Sequence, residues 1–145
     1  MFRRRSRSVE LLLVHPGGPF WKKKDDGAWS IPKGLFDENE SALLAARREF
    51  WEETGQRPSG SFIELGVFKQ PSGKHVHVWA VEGEFDLNAF RSNSFAMEWH
   101  PRSGQMREFP EADRAGWFDP DAARVKITKG QRPIITALLE RLKKH

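Results

Sequence analysis

The sequence predicts an α/β fold in which helices pack on a mixed sheet. Three observations lead to this class. Residues 9–15 form a near-continuous apolar run of strand length, residues 41–55 have helical periodicity, and residues 62–85 contain two alternating strand-like segments. A second helical stripe closes the chain, formed by Ile134, Ile135, Leu138, Leu139 and Leu142.

The composition is typical of one globular domain covering residues 1–145. The chain is 38% hydrophobic and 30% charged, and no apolar run approaches the roughly 20 residues that span a bilayer. We recognise no signal peptide, and the absence of cysteine excludes disulfides and thiolate metal sites. We therefore expect a cytoplasmic protein without membrane contact. The net charge of +4 with 20 acidic residues indicates a mixed surface.

The first elements are less regular. Residues 1–8 hold four arginines, and we expect a solvated or frayed end, with binding of RNA or another polyanion as the alternative. Residues 9–15 are predicted to form a buried strand, and residues 28–31 a second short strand. The three lysines at 22–24 are interpreted as a solvated loop, although they could steer phosphates.

Residues 41–55 form the predicted helix. Ser41 is a good N-cap and Gly55 can close the helix in the left-handed conformation. Glu49, Glu52 and Glu53 gather on one face at spacings of three and four, where like charges repel. We expect a positive group there, and Mg²⁺ is the natural candidate because it prefers oxygen ligands. A solvated acidic face is the alternative.

The wider spacing over residues 34–55 favours the metal. Its fixed positions are Gly34, Glu40, Arg48, Glu49, Glu52, Glu53 and Gly55. This pattern resembles the Nudix hydrolase signature at every charged and glycine position, which is a highly specific match. It departs at Gln56, where an aliphatic residue is usual, and at the bulky Phe50.

The resemblance implies a Nudix α/β/α sandwich over essentially the whole chain. It implies that Arg48 orients the catalytic glutamates, with Glu40 as its partner. Magnesium, or Mn²⁺ as a substitute, would be held by the carbonyl of Gly34 and by Glu49, Glu52 and Glu53. Family members usually begin with an apolar strand, of which only Met1 and Phe2 remain here. An alternative start, or a sheet edge completed by a partner chain, are both open.

The residues before Gly34 refine the resemblance. Pro32-Lys33-Gly34 looks like the branch that includes diadenosine polyphosphate hydrolases and RNA 5′-pyrophosphohydrolases, in which the lysine reaches substrate phosphate. Lys33 is therefore a candidate substrate-binding residue, and a structural role is the alternative.

The middle of the chain predicts a hairpin and then a long loop. Residues 62–69 and 74–85 read as two strands. His75 and His77 lie on one side of the second strand; without an identified carboxylate partner we interpret them as solvent-facing, with a position facing the substrate cleft as the alternative. Residues 86–109 lack a regular pattern and are expected to form a binding loop. Within it, Trp99 could stack on a nucleobase or simply anchor the loop.

The last part supplies a further acid. Residues 114–118 form a predicted strand, and the resemblance implies that a glutamate shortly before it acts as a further ligand or general base. Glu111 fits that spacing best, with Glu98 and Glu108 as rivals. Thr128 and Gln131 could form a capping box before the final helix.

The expected activity is Mg²⁺-dependent hydrolysis of a pyrophosphate bond in a nucleoside diphosphate linked to another moiety. Diadenosine polyphosphates or nucleoside triphosphates are the preferred substrates, and the 5′ end of RNA is the alternative. A non-catalytic nucleotide-binding Nudix module is a hypothesis of another class. It ranks last because all the signature glutamates are present.

Overall fold

The computed structural model describes residues 1–33 and 40–143. Its strands and helices follow the chain in this order: β1 (Phe2–Arg5), β2 (Ser8–Pro16), α1 (Ala42–Thr54), β3 (Phe62–Lys69), β4 (His75–Val81), β5 (Ser94–Glu98), β6 (Met106–Pro110), β7 (Ala112–Phe118), α2 (Pro120–Lys126) and α3 (Arg132–Lys143).

Strand β2 is the centre of the main sheet. It pairs antiparallel with β1 on one side and with β7 on the other, with Leu12 opposite Trp117. A parallel bridge between Phe2 and Glu82 connects β1 to the residue after β4, so the arrangement is mixed. Strands β3 and β4 form one antiparallel hairpin, and β5 and β6 form another.

Helices cover both faces of the main sheet because β2 is apolar on both sides. Leu12 packs with Phe50 of α1 on one face. Leu11 and Leu13 point to the opposite face, where the core includes residues of α2 and α3, namely Ala123, Ile135 and Leu138. A strand buried on both faces needs such a continuous apolar run. The predicted α/β/α sandwich is therefore confirmed.

The prediction of a frayed basic end is wrong, and a strand forms where the sequence indicated that one was missing. Phe2 is only 1% exposed and belongs to the core. Strand β1 tolerates its arginines because acidic side chains flank it. Arg3 Nε lies 2.8 Å from Glu10, and Arg5 Nη1 lies 3.2 Å from Glu84. These ion pairs weaken the interpretation of the segment as an RNA-binding arm.

Helix α1 begins and ends as its sequence predicts. The Ser41 hydroxyl accepts a hydrogen bond from the Leu44 amide at 3.2 Å, which is N-cap geometry. Gly55 has φ of 79°, and its amide donates to the carbonyl of Trp51 at 2.7 Å. Only glycine adopts this backbone conformation easily, so Gly55 fixes where the acidic face stops.

The expected long loop over residues 86–109 is wrong in its second half, where β5 and β6 form a hairpin. Phe95 lies opposite Phe109 and Met97 opposite Arg107, so one face of the hairpin is largely apolar. Its other face is exposed and mixes the polar Ser94, Glu98 and Glu108 with the apolar Ala96, Met106 and Pro110. The resulting alternation of apolar and polar residues is too weak to indicate strands by itself.

Two smaller predictions also need correction. Residues 28–31 do not form a full strand, since Trp29 and Ser30 make only single bridges. The capping box is absent: Thr128 makes no side-chain cap hydrogen bond, and Gln131 is buried, where its Oε1 accepts from the Ile31 amide at 3.0 Å. The β3–β4 hairpin and α3 are confirmed, although β4 ends at Val81 rather than at residue 85.

Within the described residues, no helix is long and apolar enough to cross a membrane.

Candidate active site

The acidic face of α1 is organised by Arg48. Its Nη1 donates to Glu49 Oε1 at 2.8 Å and to Glu52 Oε2 at 3.0 Å. Its Nε and Nη2 donate to the two oxygens of Glu40 at 2.9 and 3.0 Å. This bidentate pairing raises the pKa of Arg48 further above its ordinary value. The guanidinium therefore holds three carboxylates in one cluster.

Glu53 lies beside this cluster and is hydrogen-bonded to the backbone of Lys33. The Lys33 amide donates to Glu53 Oε2 at 3.0 Å. Burial is the main reason that the pKa of Glu53 rises to about 7, and burial also raises the pKa of Glu49. The Lys33 side chain itself is exposed. Ionisation of Glu49 and Glu53 is therefore unfavourable when no cation is bound beside them.

Glu111 reaches the same region from the opposite part of the chain. It sits between β6 and β7, where its amide donates to the Asn93 carbonyl at 2.7 Å. The Asn93 amide in turn donates to the carbonyl of Glu52 at 2.8 Å, which connects this hairpin end to α1. The Glu111 carbonyl accepts from the Gly17 amide at 2.9 Å. The Glu111 charge is one of the lesser influences that raise the pKa of Glu49 and Glu53, after burial.

The two rivals of Glu111 lie along the β5–β6 hairpin instead. Glu98 is the last residue of β5, and its Oε1 accepts from the Arg102 amide at 2.5 Å. Glu108 lies in β6 opposite Ala96. Hydrogen bonding connects the Glu111 backbone, through Asn93, to α1, so Glu111 is the best placed of the three.

The donor set fits a divalent cation. Glu49, Glu52 and Glu53 present hard carboxylate oxygens on one helix face, and a cation there would offset the cost of their charges. In the part of the chain that the structure describes, no group of three acidic or histidine side chains is already arranged around a single metal position. One oxygen of Glu49 and one oxygen of Glu52 accept hydrogen bonds from Arg48 there. Gly34, predicted as a carbonyl ligand, lies outside the described residues.

A cavity opens beside the cluster. Its volume is about 480 Å³, and Lys33, Ala46 and Glu49 line the part nearest the acids. It continues between α1 and the β3–β4 hairpin to Phe62 and Trp79. A volume of this size is within the range of small-molecule sites.

The sequence patterns missed this cavity and its aromatic wall. His77 stacks on Trp79 with ring centroids 3.9 Å apart, and His77 Nε2 lies 3.1 Å from Glu64 Oε2. His77 therefore has a carboxylate partner that the sequence did not identify, and both histidines line the cavity, which favours the cleft-facing alternative over a purely solvent-facing one. The alternation of His75, His77 and Trp79 along β4 was the available signal, but it could not show that α1 faces them.

Trp99 does not join the acidic cluster. It follows β5, and its ring meets Phe20 edge-on with centroids 5.6 Å apart. Six residues separate it from Asn93, which at about 3.3 Å per residue places it roughly 20 Å along the hairpin. Trp99 is therefore far from Glu49, and a base stacked on it would lie away from the acidic face of α1.

A sandwich of helices and a mixed sheet with this acidic helix defines a Nudix-type domain. A family model described as NUDIX domain matches residues 1–138. The chain belongs to the Nudix family, as the resemblance indicated.

Two curated relatives illustrate the sequence similarity. A putative 8-oxo-dGTP diphosphatase of Bacillus subtilis is 39% identical over 66 residues, which cover 46% of this chain and 39% of that protein. An RNA pyrophosphohydrolase of Bartonella henselae is 40% identical over 62 residues, covering 35% of this chain and 36% of that protein. The chain thus matches less than half the length of either relative.

Solved structures show the same fold over more of the chain. A Caenorhabditis elegans Ap4A hydrolase binary complex has a TM-score of 0.65 at 18% identity and covers 99% of this chain and 95% of its own. The NUDIX domain of Shewanella oneidensis NrtR, complexed with ADP ribose, has a TM-score of 0.65 at 18% identity, covering 97% and 82%. At this identity the likeness concerns the fold.

Proposed function

We propose that the protein is a Mg²⁺-dependent Nudix pyrophosphohydrolase formed by a single domain. Its substrates would be nucleoside diphosphates linked to another moiety, with diadenosine polyphosphates or nucleoside triphosphates preferred. The observation that carries the proposal is the placement of Glu49, Glu52 and Glu53 on one face of α1 beside a cavity. The relatives named as diphosphatase and pyrophosphohydrolase support it.

Each residue has a proposed role in this reaction. The metal would be held by Glu49, Glu52 and Glu53, with the Gly34 carbonyl as predicted from the sequence. When bound, Mg²⁺ or Mn²⁺ would neutralise phosphate charge and polarise water. Arg48 would act as a positioning residue, because it already fixes the orientation of Glu49 and Glu52.

Lys33 and Glu111 would act on the substrate and on water. The exposed Lys33 ammonium borders the cavity and would pair with a phosphate oxygen. Glu111 would accept a proton as the water oxygen attacks phosphorus and the bridging P–O bond breaks. The negative charge then leaves with the departing phosphate group.

The cavity supports a nucleotide rather than a bare polyphosphate. Its lining is charged at Lys33 and Glu49 beside the acidic face, and elsewhere it combines apolar and aromatic side chains such as Phe62 and Trp79 with the polar Gln70, Ser72, Lys74, His75 and His77. That division matches a nucleotide, whose phosphates are anionic and whose base is flat and largely apolar on its faces. A base lying near Trp79 would place its phosphates towards Glu49.

The 5′ end of RNA is the second candidate. Relatives named RNA pyrophosphohydrolase, from Bartonella henselae and Caulobacter vibrioides, are 40% identical over 62 and 53 residues. The arginines of β1, which first suggested RNA, are engaged with acidic side chains. Support for RNA as the substrate of the active site therefore comes from the sequence similarity to these relatives.

The test is a chromatographic product analysis with Mg²⁺. Diadenosine tetraphosphate, each nucleoside triphosphate, ADP-ribose and a triphosphorylated short RNA are offered in parallel, with Glu52→Gln as the inactive control. We expect diadenosine tetraphosphate to yield ATP and AMP. Processing of RNA alone would favour the second candidate, and steep loss of affinity with salt would accompany it. If no compound is cleaved while nucleotides bind tightly, the protein is a binding module.

A further inference from the structure

We propose that the loop before residue 25 and the tip of the β5–β6 hairpin together form a binding surface for single-stranded RNA. This hairpin-tip surface consists of an aromatic group and a basic group. The aromatic side chains are Phe20, Trp21, Trp99 and His100, and the basic ones are Lys22, Lys23, Lys24 and Arg102. None of these residues belongs to the proposed active site. Only Trp99 was a candidate for it from the sequence, as a residue that could stack on a base.

Three of the four aromatic rings are in contact with one another, and the fourth, Trp21, follows Phe20 in the chain. Phe20 meets Trp99 edge-on at 5.6 Å, and Trp99 stacks on His100 with centroids 5.1 Å apart. Phe20 is nevertheless 59% exposed and Trp21 is 40% exposed. Exposed aromatic rings clustered at one place indicate a binding surface more strongly than a single exposed ring does. Their flat faces suit stacking on unpaired bases.

The basic group lies in the same segments. Lys22, Lys23 and Lys24 are all exposed, and the Lys24 ammonium lies 5.1 Å from the Trp21 ring. Arg102 is exposed in the turn that follows Trp99.

The positive charge of these lysines and of Arg102 is largely uncompensated, because the nearby acidic side chains have other partners. Asp25 and Asp26, which follow the lysines, pair with Lys126 instead. Glu98 is the one acid of the described hairpin tip, and its carboxylate accepts from the backbone amide of Arg102. The surface is therefore positive and complementary to a polyanion. Cations beside stacking aromatic rings are typical of proteins that bind single strands.

The hairpin connects this surface to the active site. Its other end, at Asn93 and Glu111, is hydrogen-bonded to the backbone of α1 at Glu52. The tip lies roughly 20 Å away, by the rise of an extended strand. A strand of RNA several nucleotides long could bridge that distance. RNA bound at the tip would therefore have its 5′ end brought to the active site. The binding itself does not depend on hydrolysis.

The test is fluorescence anisotropy with a short 3′-labelled oligouridine that carries a 5′ hydroxyl, in the presence of a chelator. This probe has no pyrophosphate to cleave, so the result is independent of the proposed hydrolysis. We expect the double variant Phe20→Ala and Trp21→Ala to bind at least tenfold more weakly, since each stacked base contributes substantially. Both side chains are exposed enough for the fold to persist, which circular dichroism checks.

A charge-reversal pair tests the basic group. Lys22→Glu with Lys23→Glu should weaken binding tenfold or more, and the slope of log affinity against log salt should fall by roughly 0.7 for each lost phosphate contact. The matched control is Lys129→Glu with Lys143→Glu, which makes the same charge change at exposed lysines elsewhere. The control should retain most of the affinity.

Several outcomes would overturn the proposal. One is undetectable binding of the oligouridine by the wild-type protein. Another is an equal loss of affinity in the two charge-reversal pairs, because the electrostatic attraction would then not be specific to this surface. Duplex RNA that competes as well as single-stranded RNA would also overturn it, since paired bases cannot stack on Phe20 and Trp21. Unchanged affinity in the aromatic double variant would have the same meaning.

Discussion

Replacing Phe2 by alanine tests whether β1 is part of the fold. Phe2 is 1% exposed and packs in the core with Leu11 and Ile135. Truncating a buried phenylalanine to alanine usually costs about 3 to 5 kcal/mol. The strand is further anchored by its pairing with β2 and by the hydrogen bond from the Gly83 amide to the Phe2 carbonyl at 3.0 Å.

The expected change in melting temperature follows from chain length. For 145 residues, an unfolding entropy of about 2.1 cal/mol/K per residue gives about 0.3 kcal/mol/K in total. A loss of about 3 to 5 kcal/mol should therefore lower the melting temperature by roughly 10 to 16 °C. Differential scanning calorimetry measures this directly.

Arg7→Ala is the matched control, because Arg7 is exposed in the turn between β1 and β2. Exposed substitutions of this kind usually change stability by less than about 0.5 kcal/mol, or about 2 °C here. If Phe2→Ala also shifts the melting temperature by less than about 2 °C, the segment is frayed in solution and the placement of β1 is refuted.

Three further predictions concern the site and its supports. In metal-free protein, the free energy of unfolding should fall as pH rises from about 4.5 to about 7, because the folded state holds the Glu53 proton more tightly than the unfolded state. Chemical denaturation with a chelator should show that Glu53→Gln removes up to about 3 kcal/mol of this fall, and an unchanged pH profile would contradict it. Ala46→Phe should fill part of the cavity and raise KM severalfold with little change in kcat, whereas unchanged steady-state kinetics would exclude the cavity as the nucleotide site. Gly17→Ala should destabilise the protein by about 1 to 3 kcal/mol, because a Cβ there would lie 1.9 Å from the Pro110 carbonyl oxygen. The control Gly83→Ala meets nothing closer than 3.4 Å, so equal melting temperatures for the two variants would disprove this clash.

Local signals predicted the parts of the fold that short segments determine. Ser41 and Gly55 mark both ends of α1, and the apolar run over residues 9–15 predicts the central strand. The three-and-four spacing of the glutamates likewise predicts that they share one helix face. These features depend on residues close in sequence, so pattern and propensity are sufficient.

Other features depend on contacts between distant segments. Phe2 packs in the core against Leu11 and Ile135, and the arginines beside it pair with Glu10 and Glu84; no local pattern shows these contacts. Arg48 illustrates the same limit. The resemblance implies Glu40 as its partner, and the spacing of four residues allows a contact with Glu52, but the hydrogen bond to Glu49 depends on side-chain rotamers.

The cavity illustrates the limit on a larger scale. It is formed where α1 faces the β3–β4 hairpin, two elements whose relative position depends on the whole sheet. Burial likewise raises the pKa of Glu53 to about 7, whereas the sequence alone indicates only mutual repulsion of the carboxylates. Tertiary packing therefore supplies the site with both its space and its electrostatics.

The most direct test of the proposed active site is the turnover of the preferred pyrophosphate substrate by Glu52→Gln and Glu53→Gln. Both changes keep the side-chain shape while removing a negative charge, and Glu140→Gln is the control on the exposed face of α3. We predict that the first two variants lose roughly 100-fold or more in kcat with Mg²⁺ present while remaining folded, and that the control keeps wild-type turnover. Wild-type rates in well-folded Glu52→Gln and Glu53→Gln would contradict the assignment of the acidic face of α1 as the catalytic centre.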